Sequence, residues 1–153
     1  MAYIGFTAVK EPYGWMGNMY AAPIKYEGET WLTSEALFQA LRVNDKEIRE
    51  LIRIKKSPMS AKMVAKHFTE KMVVNPISEK DIDNMRLCLR LKFNQHPALR
   101  DNLLRTGDHI IFEDVKKRHG ARHRFWGAEM KNNTLEGTNM LGRLLMELRE
   151  ELR

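Results

Sequence analysis

The sequence predicts a mainly α-helical fold with a few short β-strands, arranged as one compact domain over residues 1–153. Apolar residues recur at three- and four-residue steps in several segments, which is the period of an amphipathic helix. Residues that typically cap helices precede those segments. The chain has 153 residues, of which 43% are hydrophobic and 30% charged, and this composition is typical of a globular domain rather than a disordered chain.

The first elements are predicted to be extended. Residues 3–6 form a short β-prone run, and prolines and glycines then interrupt regular structure. Residues 24–31 predict a hairpin that turns at Glu27-Gly28, because glycine accepts the positive φ of a tight turn.

Helices are predicted to follow the hairpin. Thr33 or Ser34 can cap a helix that runs to about residue 43. Asn44, with Glu47 three residues later, has the pattern of a capping box for a second helix. Ser57, followed by proline at the first helical position, opens a third.

The second half is predicted to contain the longest helix, which starts after Ser78. A shorter helix follows and is closed by Gly107 as a left-handed cap. Residues 109–113 predict a brief strand, and residues 114–138 predict a long irregular loop, which is usually functional or mobile. A final amphipathic helix has Asn139 near its N-terminal cap.

The polar face of the first predicted helix is a candidate site. At about 100° per residue, Glu35, Gln39 and Arg42 fall on one stripe, opposite the apolar face. Such a stripe either faces water or lines a site. Glu35 lies in the first turn, where the helix dipole favours the ionised form, so its pKa is expected to be low. An ionised carboxylate suits charge stabilisation or activation of water.

Charge is concentrated in residues 116–124, which we call the basic segment. The chain has a formal charge of +6 and a pI near 9.5, and the basic segment contains five Lys/Arg and two His. The segment is either a solvated loop or an arm that contacts a nucleic-acid backbone or a pyrophosphate. The predicted phosphate contacts are Lys116, Lys117, Arg122 and Arg124.

Other features exclude several classes of protein. The chain has no apolar run long enough to span a membrane and no signal-peptide pattern, so we expect a cytoplasmic protein without a membrane partner. The single cysteine, Cys88, is expected to be buried as a small apolar residue. His119 and His123 have metal-ligand spacing, but their basic surroundings would repel a cation. We therefore expect no metal and no cofactor, and no nucleotide-binding glycine motif or catalytic triad is present.

A collinear series of motifs spans nearly the whole chain. The motifs are Pro23-Ile24, Trp31-x-Thr-Ser-Glu35-x-x-Phe38-Gln39-Ala40, Ser57-Pro58, Met85 with Lys92-Phe93, Leu103-Leu104-x-Thr106-Gly107, Ile111-x-Glu113, Trp126-Gly127 and Gly137-x-Asn139-x-Leu141-Gly142-x-x-Leu145-Met146-x-x-Arg149. This series closely resembles the NADAR (NAD and ADP-ribose-linked), or YbiA-like, family.

The resemblance implies a compact, mainly helical fold and a hydrolase of N-glycosidic bonds. Members of the family have been linked to two substrate types. One is the phosphorylated ribosylamino-pyrimidine intermediates of riboflavin synthesis, and the other is ADP-ribose attached to a nucleic-acid base. Both reactions break a bond between ribose C1 and nitrogen, and the basic segment favours the second substrate. A non-catalytic protein that binds ADP-ribose or nucleic acid is a third hypothesis.

The resemblance also implies a set of site residues. They are Asn18, Lys25, Trp31, Glu35, Gln39, Glu113, Trp126, Gly127 and Asn139. Positive charge develops on the ribose as the bond breaks, so a carboxylate near C1 lowers the barrier. Glu35 is the first choice for this carboxylate and Glu113 the second. Lys25 is expected to meet a phosphate or the leaving base, and either tryptophan to stack on a ring. Asn139 is a candidate phosphate or ribose anchor, or simply an N-cap.

The sequence also departs from the family pattern. The aspartate that commonly precedes the Trp-Gly pair by three residues is His123 here, and the histidine that often follows the glutamate is Ala36. Any role of that aspartate cannot transfer to this chain. Either the site tolerates its absence, or this member acts on a different substrate.

Overall fold

A computed structural model describes residues 2–153 and shows a mainly α-helical fold with short strands, which confirms the predicted fold class. In chain order the elements are β1 (Tyr3–Phe6), β2 (Ile24–Tyr26), β3 (Glu29–Trp31), α1 (Ser34–Ala40), α2 (Lys46–Arg53), α3 (Pro58–His67), α4 (Glu79–Gln95), α5 (Pro97–Arg105), β4 (Ile110–Glu113), α6 (Ala121–Trp126), β5 (Glu129–Lys131), β6 (Thr134–Glu136) and α7 (Met140–Leu152). Within the described residues, none of these helices has both the length and the apolar character that crossing a membrane requires.

The chain divides into two compact units. The central unit is Asn18–His96, and the terminal unit combines Met1–Gly17 with Pro97–Arg153. The single-domain description of residues 1–153 stays a prediction.

The central unit joins the β2–β3 hairpin to four helices. Ile24 pairs with Trp31 across the hairpin, and Glu27 and Gly28 have φ values of 49° and 81°. These positive φ values are typical of the tight hairpin turn that the sequence predicts. Helix α1 packs against α2, α3 and α4, and α4 also packs against β2. The interior between them is apolar and includes Ile24, Leu37, Ile52, Leu89 and Phe93.

Side-chain caps begin the helices of the central unit. The Thr33 hydroxyl accepts a hydrogen bond from the Ala36 N–H at 3.1 Å, and Ser57 and Ser78 cap α3 and α4. The predicted cap at Asn44 is wrong, because α2 begins one residue later than that cap requires. The carboxylate of Asp45 accepts from the N–H groups of the second and third helical residues instead.

The terminal unit is built around a parallel pair of strands. β1 pairs with β4, with Ile4 opposite Ile111, and α7 packs on β4. Helices α5 and α6 both contact α7. Gly107 follows α5 with φ of 61°, which confirms the predicted left-handed cap. Residues buried in this core include Phe6, Leu103, Ile111 and Leu145.

The prediction of an irregular loop over residues 114–138 is wrong. The segment contains α6 and the β5–β6 hairpin, which turns at Asn132 and Asn133 with φ values of 50° and 64°. Each strand of this hairpin has three residues, too few to show an alternating pattern. Helix α6 is rich in basic residues and buries no residue fully, so it lacks the apolar period that reveals a helix.

Two polar side chains of α4 lie in the interior of the central unit. Cys88 is buried as predicted, and burial raises the pKa of its thiol. Lys92 is fully buried, and its ammonium lies 5.7 Å from the centre of the Tyr20 ring and 5.4 Å from that of Phe93. Burial lowers the pKa of Lys92 from 10.5 to about 7.

The buried lysine predicts a pH-dependent stability. Between about pH 7 and 10.5 the unfolded chain keeps the Lys92 proton that the folded chain has lost, so stability rises with pH in this window. The variant K92M lacks this titration. We expect the free energy of unfolding of K92M, relative to that of wild type, to decrease by about 1 kcal/mol per pH unit as pH rises from 7. Urea unfolding at pH 7, 8 and 9 measures it. A K92M advantage that stays constant with pH contradicts the prediction, and K80M, on the exposed side of α4, serves as the control.

Candidate active site

Backbone and side-chain contacts fix the position of Glu35 at the start of α1. The Glu35 N–H donates to the carbonyl of Asn18 at 3.1 Å, and the Ser34 hydroxyl donates to the Asn18 side-chain oxygen at 2.8 Å. The Asn18 amide in turn donates to the sulfur of Met85 on α4 at 3.1 Å. Asn18 therefore ties the first turn of α1 to the middle of α4.

The polar stripe of α1 faces the interior of the central unit. Glu35 and Gln39 are each 8% exposed, and Arg42 is 6% exposed. The Gln39 amide donates to a carboxylate oxygen of Glu35 at 3.3 Å. Of the two interpretations of this stripe, solvated face or site lining, burial favours the second. The small exposed fraction leaves the Glu35 carboxyl at the edge of the interior.

The expectation of a low pKa for Glu35 is wrong. Burial raises the pKa of this carboxyl above 4.5, and the charges of Lys62 and Arg42 and the hydrogen bond from Gln39 offset the rise only in part. The helix dipole contributes about 0.3–1 kcal/mol at an exposed terminus, whereas taking a carboxylate out of water costs several kcal/mol. Burial therefore outweighs the dipole at this position.

A buried ion pair joins α1 to α4 next to Glu35. The Arg42 guanidinium makes two parallel hydrogen bonds to the Asp81 carboxylate, both 2.8 Å long. Asp81 is fully buried and also accepts from the N–H of Ile77 at 2.9 Å. Its negative charge acts to raise the pKa of Glu35, in opposition to Arg42.

The side of α4 that carries Asp81 adds further polar side chains to those of the α1 stripe. Asp81, Asn84 and Cys88 follow at steps of three and four residues and share one face of the helix. Burial is the largest cause of the raised pKa of the Cys88 thiol, and the charge of Glu35 is the next. This interaction places the face close to Glu35. We call the following residues the Glu35 cluster: Asn18, Ser34, Glu35, Gln39, Arg42, Asp81 and Asn84.

Three contributors to this environment were missed in the sequence, namely Lys62, Asp81 and Asn84. They lie on α3 and α4, and nothing in their local sequence indicates that these helices pack against α1. The one available signal was the position of Asp81, three residues after the Ser78 cap. This spacing instead resembles an ordinary capping pattern.

The β2–β3 hairpin carries two further predicted site residues, Trp31 and Lys25. The Trp31 indole lines a cavity of about 30 Å³ together with Leu37 and Leu41, which lie on the face of α1 opposite Glu35. Its buried N–H has no hydrogen-bond partner among residues 2–153. Lys25 is exposed on β2, and its backbone N–H and carbonyl are held by the amide of Gln95 at 2.7 and 2.9 Å.

Predicted site residues of the terminal unit converge at the end of β4. The Glu113 carbonyl accepts from the Ala128 N–H at 2.9 Å, and the Gly127 carbonyl accepts from the Asn139 N–H at 3.1 Å. A Cβ at position 127 would lie 2.7 Å from the Glu113 carbonyl oxygen, so only glycine fits. Trp126, the last residue of α6, packs edge-to-face on Phe125 with ring centres 5.1 Å apart.

Asn139 occupies the N-cap position of α7, as predicted, but its side chain does not cap the helix. Its φ of 55° is left-handed, a conformation that asparagine tolerates. The amide donates to the Ile111 carbonyl at 2.9 Å, and the side-chain oxygen is buried without a partner within the described chain. This free acceptor suits a ribose hydroxyl, which can donate to it, and does not suit a phosphate, whose oxygens need a donor.

Part of the basic segment is helical, and one of its positive charges is paired with a carboxylate. Lys116 and Lys117 are exposed in a turn, while Arg122 and Arg124 lie on α6. Arg124 pairs with the buried carboxylate of Glu129 at 2.9 Å, and hydrogen bonds from Arg124 and Lys131 lower the pKa of that carboxyl. The charge of Arg124 is therefore shared with a carboxylate, and among the predicted phosphate contacts Lys116, Lys117 and Arg122 are exposed.

The chain is similar to known proteins over almost its full length. The family model of the NADAR domain matches residues 5–153. The N-glycosidase YbiA of Escherichia coli (strain K12) is 40% identical over 149 residues, covering 97% of this chain and 88% of that protein. An N-glycosidase of Nostoc punctiforme is 30% identical, with coverage of 98% and 92%. A riboflavin biosynthesis protein of Vibrio vulnificus is 30% identical over 97% of this chain and 38% of its own length.

The fold agrees with these matches. The NMR structure of E. coli YbiA superimposes with a TM-score of 0.82 at 37% identity, covering 99% of this chain and 84% of that one. Family model, relatives and solved structure all point to the same assignment. The chain belongs to the NADAR family of N-glycosidases, which are hydrolases acting on N-glycosyl bonds.

Proposed function

We propose that this NADAR protein removes ADP-ribose from a modified nucleic-acid base by hydrolysis of the ribose C1–N bond, with Glu35 as its acid–base residue. The observation that carries the proposal is the buried Glu35 carboxyl, held by Gln39 within a polar cluster and raised in pKa by burial. General acid–base catalysis works best when the pKa of the group approaches the working pH.

The raised pKa of Glu35 suits both proton transfers of the reaction. As the C1–N bond breaks, a water oxygen bonds to C1 and its proton passes to the ionised carboxylate of Glu35. The departing nitrogen then receives a proton from the same carboxyl, which restores the starting state. While the bond is breaking, the carboxylate also stabilises positive charge at C1. Gln39 holds the carboxylate by its hydrogen bond to Oε1.

The remaining predicted site residues keep their roles within this proposal. Glu113 is the proposed second carboxylate, and the proposed substrate-binding residues are Lys25, Trp31, Gln39, Trp126, Gly127 and Asn139. Asn18, which was also predicted to bind substrate, takes a different role. Asn18 orients the first turn of α1 rather than contacting substrate directly, since both groups of its side-chain amide are engaged within the central unit. A cytoplasmic location also stays part of the proposal.

The choice of substrate depends on the basic segment. A ribosylamino-pyrimidine phosphate needs one phosphate contact, whereas a nucleic acid presents many phosphates along its backbone. The exposed side chains of Lys116, Lys117 and Arg122 suit the second case. The riboflavin intermediate is the second candidate, because a relative from Vibrio vulnificus is named a riboflavin biosynthesis protein. The replacement of the family aspartate by His123 motivates the third, a binding protein without turnover.

One assay separates the three candidates. The protein is incubated with an ADP-ribosylated oligonucleotide and, separately, with a ribosylamino-pyrimidine phosphate, and products are followed by mass spectrometry. Release of free ADP-ribose supports the proposal. Loss of the pyrimidine from the second substrate alone supports the riboflavin alternative, and binding without product supports the third. The variant E35Q serves as the negative control, because any product it forms comes from hydrolysis that does not depend on Glu35.

The phosphate role of the basic segment predicts a change in salt dependence. The triple variant K116A/K117A/R122A should bind modified single-stranded oligonucleotide with a smaller slope of log K against log salt concentration. Each lost phosphate contact removes about 0.7 from that slope, so a decrease of about 2 is expected. Fluorescence anisotropy at several salt concentrations measures it. The variant K46A/K71A/K80A removes three exposed charges of the central unit as a matched control. Equal slopes for the two variants would identify the basic segment as a solvated surface.

A further inference from the structure

The side-chain amide of Asn84 is a buried donor that the described chain leaves without an acceptor. Asn84 is 5% exposed on α4, and its Nδ2 has no hydrogen-bond partner among residues 2–153. An unsatisfied buried donor costs about 1–3 kcal/mol, and native structures satisfy nearly all such groups. A donor in this condition is available to an acceptor that arrives with a ligand.

The position of Asn84 places this donor beside Glu35. Asn84 lies one helical turn from Asp81 on one side and one turn from Cys88 on the other. Asp81 and Cys88 both interact electrostatically with the Glu35 carboxyl, and α4 packs against α1. The next residue, Met85, accepts the hydrogen bond of Asn18, whose carbonyl holds the Glu35 N–H.

The surroundings select the kind of acceptor. Asp81 shares one face of α4 with Asn84 and interacts with the Glu35 carboxyl, and the charge of Arg42 is already paired with Asp81, so a phosphate gains little at this point. A neutral hydroxyl fits better, because it can accept from the Asn84 amide and donate its own proton to a carboxylate. In a ribosyl substrate, the hydroxyl nearest to C1 is the 2′-hydroxyl. Hydrogen bonds to this group strengthen in the transition state of glycoside cleavage.

We infer that Asn84 donates from Nδ2 to the 2′-hydroxyl of the substrate ribose and holds C1 against Glu35. The inference rests on the proposed function, because it takes Glu35 as the reacting group. It adds a specificity: the site distinguishes a ribosyl from a 2′-deoxyribosyl substrate through a residue on α4.

The test compares two substrates in two variants. N84L replaces the amide by an apolar group of similar size, and N94L makes the same change at an exposed position of α4. With the ribosyl substrate, N84L should lower kcat/KM about 10-fold or more, the equivalent of one lost hydrogen bond to a substrate (about 1.4 kcal/mol). With the 2′-deoxyribosyl analogue, N84L and wild type should have the same kcat/KM. N94L should match wild type with both substrates.

A purely structural role gives different results. In that case N84L lowers the melting temperature and affects both substrates equally, and either result overturns the inference. The inference itself expects little change in melting temperature, because the Nδ2 donor that N84L removes has no partner among residues 2–153. If leucine is too large for the site, N84A repeats the comparison.

A failure of the proposed function remains distinguishable from a failure of this inference. If wild type turns over neither substrate, calorimetry with ADP-ribose and its 2′-deoxyribosyl analogue replaces kinetics. Weaker binding of ADP-ribose to N84L, with unchanged binding of the analogue, supports the role of Asn84 even then. Equal binding of ADP-ribose to both proteins overturns it.

Discussion

E35Q should abolish most turnover and at the same time make the protein more stable at neutral pH. Glutamine keeps the size of the side chain and its contact with Gln39, but it cannot transfer a proton. Loss of a general acid–base residue lowers kcat by roughly 10²–10⁴-fold. The gain in stability arises because the neutral amide avoids the cost of placing an ionised carboxyl in the interior, where Glu35 is 8% exposed.

The pH dependence of this gain follows from the direction of the pKa shift. The unfolded chain ionises Glu35 near its ordinary value of 4.5, whereas the folded chain keeps the proton to a higher pH. Wild type therefore loses stability as pH rises from 4.5 through the folded pKa, and E35Q does not. The advantage of E35Q should be absent below pH 4.5, grow above it and then level off.

Chemical denaturation between pH 4 and pH 8, together with kcat at pH 7, measures both effects. The exposed Glu70 provides the matched control, since E70Q should change neither quantity. Wild-type turnover in E35Q would remove Glu35 from the mechanism. An E35Q protein less stable than wild type at pH 8 would show that the ionised carboxylate is stabilised by its neighbours rather than penalised by burial.

Most of the fold could be predicted because its signals are local. Helical periods, serine caps and the Glu27-Gly28 turn each depend on a few consecutive residues, and the structure confirms them. The errors occur where local signals are weak. The cap of α2 is displaced by one residue because Asn44 and Asp45 are both good caps. The β5–β6 hairpin depends on a turn of two asparagines between very short strands.

The candidate site could be predicted in part for the same reason. The stripe of Glu35, Gln39 and Arg42 was predicted from the geometry of one helix, and all three residues are buried. The helix α1 ends at Ala40, earlier than predicted, so Arg42 lies in the turn that follows it. The pKa of Glu35 could not be predicted, because it depends on burial by α3 and α4. Asp81 and Asn84 escaped notice because their importance arises from the packing of α4 on α1. Contacts between residues 39 positions apart leave no pattern in a single sequence.

A change of backbone conformation also lies between two residues of one motif. Trp31 and Glu35 are four residues apart, yet the Trp31 indole lines a cavity with residues from the opposite face of α1. Trp31 ends β3 and Glu35 lies in the first turn of α1, so the backbone changes from strand to helix between them. Spacing within a motif therefore predicts proximity only while the backbone keeps one regular conformation.

The buried pair of Arg42 and Asp81 should be the most sensitive point of the central unit. R42M leaves the Asp81 carboxylate buried without its cation, and the Ile77 N–H still donates to it. Removing one partner of a buried ion pair typically costs about 3–5 kcal/mol. The matched control is R53M, because Arg53 pairs with Glu50 and Glu29 at the surface. Surface pairs contribute about 0–1 kcal/mol. Urea unfolding of both variants measures the difference.

The double variant R42M/D81L distinguishes a lost interaction from an uncompensated charge. If the stranded carboxylate causes the damage, removing it as well should recover much of the stability lost in R42M. No recovery would mean that the hydrogen bond from the Ile77 N–H to the Asp81 carboxylate matters more than the charge of that carboxylate. R42M should also raise the pKa of Glu35 further, since it removes a cation and leaves an anion nearby. The limb of the pH–rate profile that reports Glu35 should therefore move to higher pH. Such a shift would show that the ion pair between Arg42 and α4 affects the chemistry of the site.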